Sequence, residues 1–174
     1  AQALGCGMNE LYRDEQLRYG RVIIMTDADV DGAHIAALLM TFFYRAMPSL
    51  VEDGHLFLAL PPLYRLTHGS VSIYARDDKH KEELLKTRFK GNAKVEISRF
   101  KGLGEMPATQ LKETTMDPAT RTLLRVDIPD RTNPAEKKEA AATAKLVETL
   151  MGKRPELRFD YIQKNAKLVV DIDV

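Results

Sequence analysis

Three aspartates at alternate positions, Asp27, Asp29 and Asp31, are the residues whose type and spacing most directly suggest chemistry. They follow a short apolar run, 22–26, and precede Gly32 and a segment with helical periodicity. Alternate side chains of an extended segment point the same way, so Asp27 and Asp29 can converge on one point. Two close carboxylates repel each other unless a hard cation lies between them, and magnesium takes one or two carboxylates while keeping several waters. The spacing therefore favours a magnesium site with Asp27 and Asp29 as ligands.

A purely structural interpretation of this turn stays open. Asp31, next to Gly32, is expected mainly to cap the following helix or to support the metal ligands from behind. Asp27 could simply end a strand, because short acidic motifs also arise by chance. A calcium-binding EF-hand loop is excluded, since its twelfth position would be Leu38, within a segment predicted to be apolar helix.

The elements around the acidic turn predict an α/β unit. The run 22–26 is typical of a strand buried on both faces, and 55–60 is a second such strand. Between them lies a helix that Pro48 ends or kinks near Met47. Strand, helix and strand at this spacing form a parallel βαβ unit, which binds ligands at the carboxyl ends of its strands, where the acidic turn lies. The apolar face of the helix consists of Ile35, Leu38, Leu39, Phe42 and Phe43.

Smaller elements are predicted downstream, with a turn at Gly102–Gly104 and a polar linker over 130–139. A helix near 140–151 must bury an apolar stripe, because a helix of this length is not stable alone. The stripe consists of Leu146, Val147, Leu150 and Met151. The other predicted strands are 71–75, 95–100 and 123–128, and the other predicted helices are 78–86, 107–114 and 156–167.

Composition bounds the class of protein. The hydrophobic content of 44% and the charged content of 29% are those of a globular domain, and a net charge of +1 neither favours nor opposes nucleic acid. The single cysteine, Cys6, allows no internal disulfide and fits a reducing compartment such as the cytoplasm. The longest apolar run, 35–43, is too short to cross a bilayer, and the first residues do not resemble a signal peptide. The absence of a first methionine suggests an internal start.

Four segments carry a family resemblance. Residues 24–35 resemble the second acidic motif of the toprim domain in the version found in type IIA DNA topoisomerases. Three later segments resemble, in the same order, signatures of the B subunits of bacterial gyrase and topoisomerase IV: LPPLY at 60–64, RFKGLGEM at 99–106 and ETTMDP at 113–118. The closing stretch, 158–174, is similar to the natural end of those subunits. The short interval from Tyr64 to Arg99 favours the topoisomerase IV branch, with gyrase as the alternative.

The resemblance implies a toprim-type parallel sheet with flanking helices over 1–110 and a mainly helical tail over 111–174. It implies that Asp27 and Asp29 bind catalytic Mg²⁺ while a tyrosine of the A subunit attacks a DNA phosphodiester during relaxation and decatenation. The family's first acidic motif, which supplies a glutamate, is not in this sequence, nor is the ATPase domain through which ATP would act. The chain alone is therefore expected to be inactive.

The resemblance also implies two partners, DNA and the A subunit, in a heterotetramer of two A and two B subunits without a membrane. His34, Arg99, Lys101 and Arg158 are the candidate DNA contacts. His34 is expected in the first helical turn, where free amide groups favour phosphate. The stripe at 146–151 is expected to dock on the A subunit in preference to the chain's own core. Two other classes stay open: a toprim primase or nuclease, and a non-catalytic module that docks on DNA or the A subunit.

Overall fold

The computed structural model describes residues 1–89 and 94–168, so the last part of the closing stretch, 169–174, lies outside the described residues. Contacts divide the chain into two compact units. The first unit contains residues 1–22, 37–56 and the chain from 125 onward, and the second contains 23–36 and 57–124. The predicted mixed α/β class is confirmed.

The described residues contain six α-helices in addition to short 3-10 and π turns. Their bounds are α1 (Val30–Ala46), α2 (Pro48–Glu52), α3 (Asp78–Thr87), α4 (Ala108–Leu111), α5 (Lys137–Met151) and α6 (Pro155–Asn165). Pro48 begins α2 directly after α1 ends, as the prediction of a break near Met47 requires, because proline fits the first turn of a helix and not its interior.

Three strands form the sheet whose first strand leads into the acidic turn. They are β1 (Val22–Ile24), β2 (Leu56–Ala59) and β6 (Leu123–Arg125), in the order β1-β2-β6. Strands β1 and β2 are therefore neighbours, with α1 and α2 between them in the chain, as the strand–helix–strand pattern predicts.

A second sheet has β3 (Tyr64–His68) as its middle strand, antiparallel to both β4 (Val71–Ala75) and β5 (Glu96–Arg99). The two-residue loop of the β3–β4 hairpin begins with Gly69, whose φ of +60° suits glycine at the first position of a tight hairpin turn. Strand β3 is not among the predicted elements. It has only two buried apolar side chains, Tyr64 and Leu66, which alternate with Arg65 and Thr67, and this alternation is too short to stand out.

In the second unit a π-helical turn, Lys112–Met116, continues α4. Two consecutive residues of this turn, Thr114 and Thr115, are buried. The Thr114 hydroxyl donates to the Gln110 carbonyl at 2.8 Å and lies 3.1 Å from the Thr115 hydroxyl. Both polar groups are thus hydrogen-bonded, which burial requires.

The apolar face predicted for α1 is wrong in its orientation. Of its five residues only Phe43 is buried, whereas Ile35, Leu38, Leu39 and Phe42 are all at least 39% exposed. The core side of α1 is instead formed by Ala36 and Phe43, and Met47, which follows the helix, is also buried. Because α1 is apolar around most of its circumference, periodicity could not determine which side the rest of the chain covers.

The apolar stripe of α5 packs within the first unit. Its four residues line a cavity of about 280 Å³ together with Met40 and Tyr44 of α1 and with Val126 and Ile128. An ion pair of 2.6 Å between Arg45 and Glu148 lies beside it. Leu146 is nevertheless 42% exposed and none of the four stripe residues is buried, so the preferred expectation that this stripe docks on the A subunit stays a prediction.

The first unit should depend on Leu50, whose side chain has no exposed surface. Replacing it with alanine leaves a cavity and should lower the free energy of unfolding by about 2–5 kcal/mol. Urea unfolding of residues 1–174 measures this, with Leu11→Ala as the control because Leu11 is 75% exposed. Equal midpoints for the two variants would contradict this description of the core.

Candidate metal centre

The acidic turn connects β1 to α1 and bends at Ala28 and Asp29 instead of staying extended. Asp27, Asp29 and Asp31 are all exposed to solvent. Alternate side chains converge only along an extended chain, so the alternate spacing of Asp27 and Asp29 does not by itself bring their carboxylates together here. The carboxylates of Asp27 and Asp29 are each oriented by a hydrogen bond instead.

Asp27 is oriented by a turn 76 residues further along the chain. Its Oδ1 accepts a hydrogen bond of 2.7 Å from the backbone N–H of Leu103. The neighbouring Gly102 lies so close that an added Cβ would stand 3.0 Å from the Asp27 carboxylate. The acidic motif and the segment 99–106 therefore meet at one point, and glycine at 102 leaves room for the carboxylate.

Asp29 is the residue that caps α1. Its Oδ1 accepts a hydrogen bond of 2.7 Å from the N–H of Gly32, the third residue of the helix. Its carbonyl accepts from Ala33 at 3.0 Å, which is the first intrahelical bond. The capping role predicted for Asp31 is therefore wrong. Asp31 lies inside the first turn, where its charge favours the helix dipole without capping it.

Gly32 allows the tight return of the chain onto the acidic turn. A Cβ built on it would stand 2.1 Å from the Asp27 carbonyl oxygen and 2.8 Å from the carbonyl carbon. No side chain fits at that distance without moving the backbone. Gly32 thus fixes where α1 begins relative to Asp27.

Each of the two carboxylates keeps one oxygen that is free to bind a hard cation. Oδ1 of each is hydrogen-bonded to a backbone amide, and within residues 1–89 and 94–168 no hydrogen bond reaches either Oδ2. Magnesium prefers oxygen ligands, tolerates as few as one or two carboxylates and completes its shell with water and phosphate. The donor set fits a site of this kind. No group of three or more His, Cys, Asp or Glu side chains suited to a metal occurs in the described part of the chain.

Asp27 borders a cavity of about 530 Å³ in the second unit. Two hydroxyl-bearing residues, Thr26 and Thr122, also line it, as do Arg76 and Asp77 near the end of β4. The space beside the acidic turn is therefore large enough for a phosphate group and is bounded by polar side chains as well as apolar ones.

Two of the predicted DNA contacts are close to the acidic turn: His34 follows it in the chain, and Lys101 precedes the Gly102–Leu103 segment that meets Asp27. His34 is exposed, but it lies beyond the first turn of α1, because intrahelical bonding already begins at Ala33. The expectation that it borders free amide groups is therefore wrong. Lys101 is exposed beside Gly102. Its backbone N–H donates to Glu105 Oε2 at 2.7 Å, and this bond does not involve the ammonium group of its side chain.

Arg99 belongs to a charged cluster around Tyr64. The Tyr64 hydroxyl and the Lys81 ammonium both donate to Asp78 Oδ1, at 2.9 Å and 2.5 Å. These hydrogen bonds, first that of Lys81 and then that of Tyr64, lower the pKa of the Asp78 carboxyl. The Arg99 guanidinium carbon lies 6.0 Å from the Tyr64 ring centre. Arg99 thus contacts an aromatic face, and its contact with DNA stays a prediction.

Arg158 has a structural role in the first unit. Its guanidinium donates to the carbonyl of Leu150 at 2.5 Å and to that of Gly152 at 3.3 Å. Both acceptors lie at the end of α5, where a cation satisfies free carbonyls and favours the helix dipole. Its contact with DNA also stays a prediction.

Sequence reasoning missed the backbone amide of Leu103 as a functional group. The only signal was the pair of glycines around it, which indicated a turn but not what the turn faces. A backbone donor leaves no trace in residue identity, so the distance to Asp27 could be found only from the structure.

Comparison with known proteins agrees with this geometry. Residues 3–60 match the family model of the toprim domain, and residues 92–163 match that of the carboxyl terminus of the DNA gyrase B subunit. The chain is 64% identical over 173 residues to the B subunit of DNA topoisomerase 4 from Caulobacter vibrioides, covering 99% of this chain and 24% of that protein.

Two further relatives are similar over as much of the chain. The B subunit of DNA topoisomerase 4 from Bartonella bacilliformis is 57% identical over 172 residues, covering 99% of this chain and 24% of that protein. The B subunit of DNA gyrase from Metamycoplasma hominis is 48% identical over 172 residues, covering 99% of this chain and 25% of that protein. The chain thus spans about a quarter of the length of the curated relatives it matches.

The acidic turn and the first match place the chain in the toprim class. Together with the second match and these relatives, they show that the chain belongs to the family of B subunits of bacterial type IIA DNA topoisomerases. Within the described residues no helix has the length and apolarity needed to cross a bilayer.

Gly32→Ala should disrupt the turn, because its Cβ would overlap the Asp27 carbonyl. We expect the free energy of unfolding to fall by more than about 2 kcal/mol, as for strain at a constrained position. Gly104→Ala is the matched control, since nothing lies within 4 Å of a Cβ there. A thermal melt of each variant measures the difference. Wild-type stability of Gly32→Ala would show that the close approach at Asp27 is wrong.

Proposed function

We propose that this chain is the magnesium-binding part of the topoisomerase IV B subunit. In that role it supports cleavage and religation of double-stranded DNA by a tyrosine of the A subunit, for relaxation and decatenation. The observation that carries the proposal is the 2.7 Å hydrogen bond from the Leu103 amide to Asp27, which unites two motifs that resemble the family's signatures.

The proposed ligands are Asp27 and Asp29. The amides of Leu103 and Gly32 hold one oxygen of each carboxylate and so restrict where the other can point. Magnesium bound there would supply positive charge beside the scissile phosphate and the departing 3′ oxygen. A third carboxylate, a glutamate, would come from outside this sequence, in keeping with the two acids found here.

The topoisomerase IV assignment is supported by the relatives. Those at 64% and 57% identity carry that name, and the one at 48% is the B subunit of a gyrase. The short interval between Tyr64 and Arg99 points the same way. A gyrase B subunit is the alternative, and supercoiling by the assembled enzyme would distinguish it from topoisomerase IV.

The partners in this proposal are DNA and the A subunit, in a heterotetramer of two A and two B subunits. Residues 1–110 would form the toprim part and 111–174 the tail. Helix α6 is the surface of the tail best suited to an apolar partner, because its large side chains are exposed. Leu157, Phe159, Tyr161 and Ile162 are between 36% and 59% exposed.

Conservative variants distinguish metal binding by Asp27 and Asp29 from the role of Asp29 as the N-cap of α1. In the complete B subunit assembled with the A subunit, Asp27→Asn and Asp29→Asn keep an oxygen for the backbone amides but remove the charge. We expect each to lower magnesium-dependent cleavage of plasmid DNA by a factor on the order of a hundred or more, as for the loss of one charged group at a metal site.

Two controls accompany this experiment. Asp31→Asn should retain most cleavage, because Asp31 neither caps α1 nor belongs to the proposed ligands. Asp29→Ala should in addition lower the thermal midpoint, since removing an N-cap costs about 1 kcal/mol. Cleavage by Asp29→Asn equal to wild type across a magnesium titration would overturn the proposed site.

The surface that contacts the A subunit is tested on α6. Phe159 and Ile162, three residues apart on the same side of the helix, are 59% and 56% exposed. Replacing both with serine should weaken association with the A subunit by about 2 kcal/mol or more, as for loss of a buried apolar anchor. Titration calorimetry measures this, with exposed Gln163→Ala as the control. Unchanged affinity would mean that α6 is not the interface.

A further inference from the structure

We propose that Arg76 binds a phosphate of the DNA backbone at the acidic turn. This inference rests on the proposed function and names a substrate contact for the same site. None of the four cations singled out from the sequence occupies this position. His34, Arg99, Lys101 and Arg158 all lie outside the described lining of the cavity beside Asp27.

Arg76 is the one cationic side chain among the described residues that line this cavity. The cavity of about 530 Å³ is bounded by Asp27 and Ala28 of the acidic turn and by 58–61, which include the end of β2 and the two residues after it. A phosphate attracted to a cation on Asp27 would carry residual negative charge into this space. Arg76 is the group that can neutralise that charge from the cavity wall.

The guanidinium of Arg76 is available for such a ligand. In residues 1–89 and 94–168 no carboxylate lies within 4.0 Å of it. The nearest acids in sequence are committed elsewhere, since Asp77 caps α3 by accepting from His80 N–H at 2.7 Å and Asp78 accepts from Lys81 and Tyr64. An exposed arginine that borders a cavity without an ion pair is suited to an external anion.

The backbone of Arg76 is nevertheless fixed. It directly follows Ala75, which is fully buried at the end of β4 and paired with Tyr64 of β3. Its N–H donates to His80 Nδ1 at 3.3 Å. A side chain on an ordered backbone loses less freedom when it binds a ligand, which favours a defined contact over diffuse attraction.

The position of Arg76 also lets it reach along a strand of DNA. It lines a second cavity, of about 460 Å³, that shares Leu60 and Thr122 with the first and contains Tyr74 and His80. Glu113 lines this second cavity but forms no ion pair with Arg76. Arg76 therefore stands where the two cavities meet, and its planar fork of donors matches two phosphate oxygens at once.

The test uses the complete B subunit assembled with the A subunit and a short DNA duplex as the probe. Binding of the duplex is measured over a series of salt concentrations for wild type, Arg76→Ala, Arg76→Lys and Lys79→Ala. Lys79 is the control because it is exposed on α3, three residues from Arg76, and lines neither cavity. Its removal changes the net charge by the same amount.

We expect Arg76→Ala to weaken binding about tenfold, as for loss of a charged hydrogen bond. The slope of log K against log salt should become shallower by about 1, since one phosphate contact is lost. Arg76→Lys should restore the slope but only part of the affinity, because an ammonium group cannot form the bidentate contact. Lys79→Ala should stay closer to wild type in both quantities.

A wild-type slope and affinity for Arg76→Ala would overturn the inference, as would an equal effect of Lys79→Ala. A lowered thermal midpoint of Arg76→Ala with an unchanged slope would also overturn it, because Arg76 would then support the fold. Failure of the proposed function would give a different result from failure of the Arg76 inference. The proposed function fails if the Asp27→Asn and Asp29→Asn enzymes cleave DNA like wild type. If the aspartate variants lose cleavage but Arg76→Ala keeps wild-type affinity and salt slope, only the proposed role of Arg76 is wrong.

Discussion

The hydrogen bond from the Leu103 amide to Asp27 is the constraint on which the candidate site depends. A carboxylate at the end of a short strand is free to turn toward solvent unless something holds it. Here a backbone donor from a turn 76 residues away holds it, and Gly102 permits the approach. The second unit brings these segments together, so the geometry of the acidic turn follows from the packing of that unit and not from the turn alone.

Backbone amides, rather than side chains, do most of the positioning in this site. Asp29 is held by Gly32 N–H in the same way that Asp27 is held by Leu103 N–H. An amide donor orients a carboxylate and partly offsets its charge without bringing a competing side chain into the site. The second oxygen of each acid remains for a cation, and the open cavity beside Asp27 remains for the group that the cation attracts.

Sequence patterns predict the elements around the site well, for identifiable reasons. The apolar run before Asp27 and the proline at 48 mark the beginning and end of the strand–helix segment, and both boundaries agree with β1 and α1. The predicted bounds of β4 are the observed ones, because Val71–Ala75 lies between a glycine turn and an acidic helix cap.

The predictions that are wrong or missing concern contacts between residues distant in the chain and the exact start of a helix, which the order of residue types does not determine. Its position before glycine makes Asp31 the expected cap, whereas α1 begins one residue after Asp29. The covered side of α1 is not predictable because its apolar residues nearly encircle it. Strand β3 is not predicted because only two of its side chains, Tyr64 and Leu66, are buried, and two residues are too few to define an alternating pattern. Arg76 does not stand out in the sequence, because its significance comes from a cavity wall and from the engagement of its acidic neighbours.

The π-helical turn at Lys112–Met116 makes the chain intolerant of length changes there. A π turn holds one more residue than an α turn, so deleting a single residue would let the segment close into regular helix. The point at which the chain leaves the helix, at Asp117, would then rotate by about 100° around the helix axis. Thr114 and Thr115 could no longer both face the interior, and the path from Asp117 to β6 would begin in another direction. Variation in this segment is therefore expected in residue type and not in residue number.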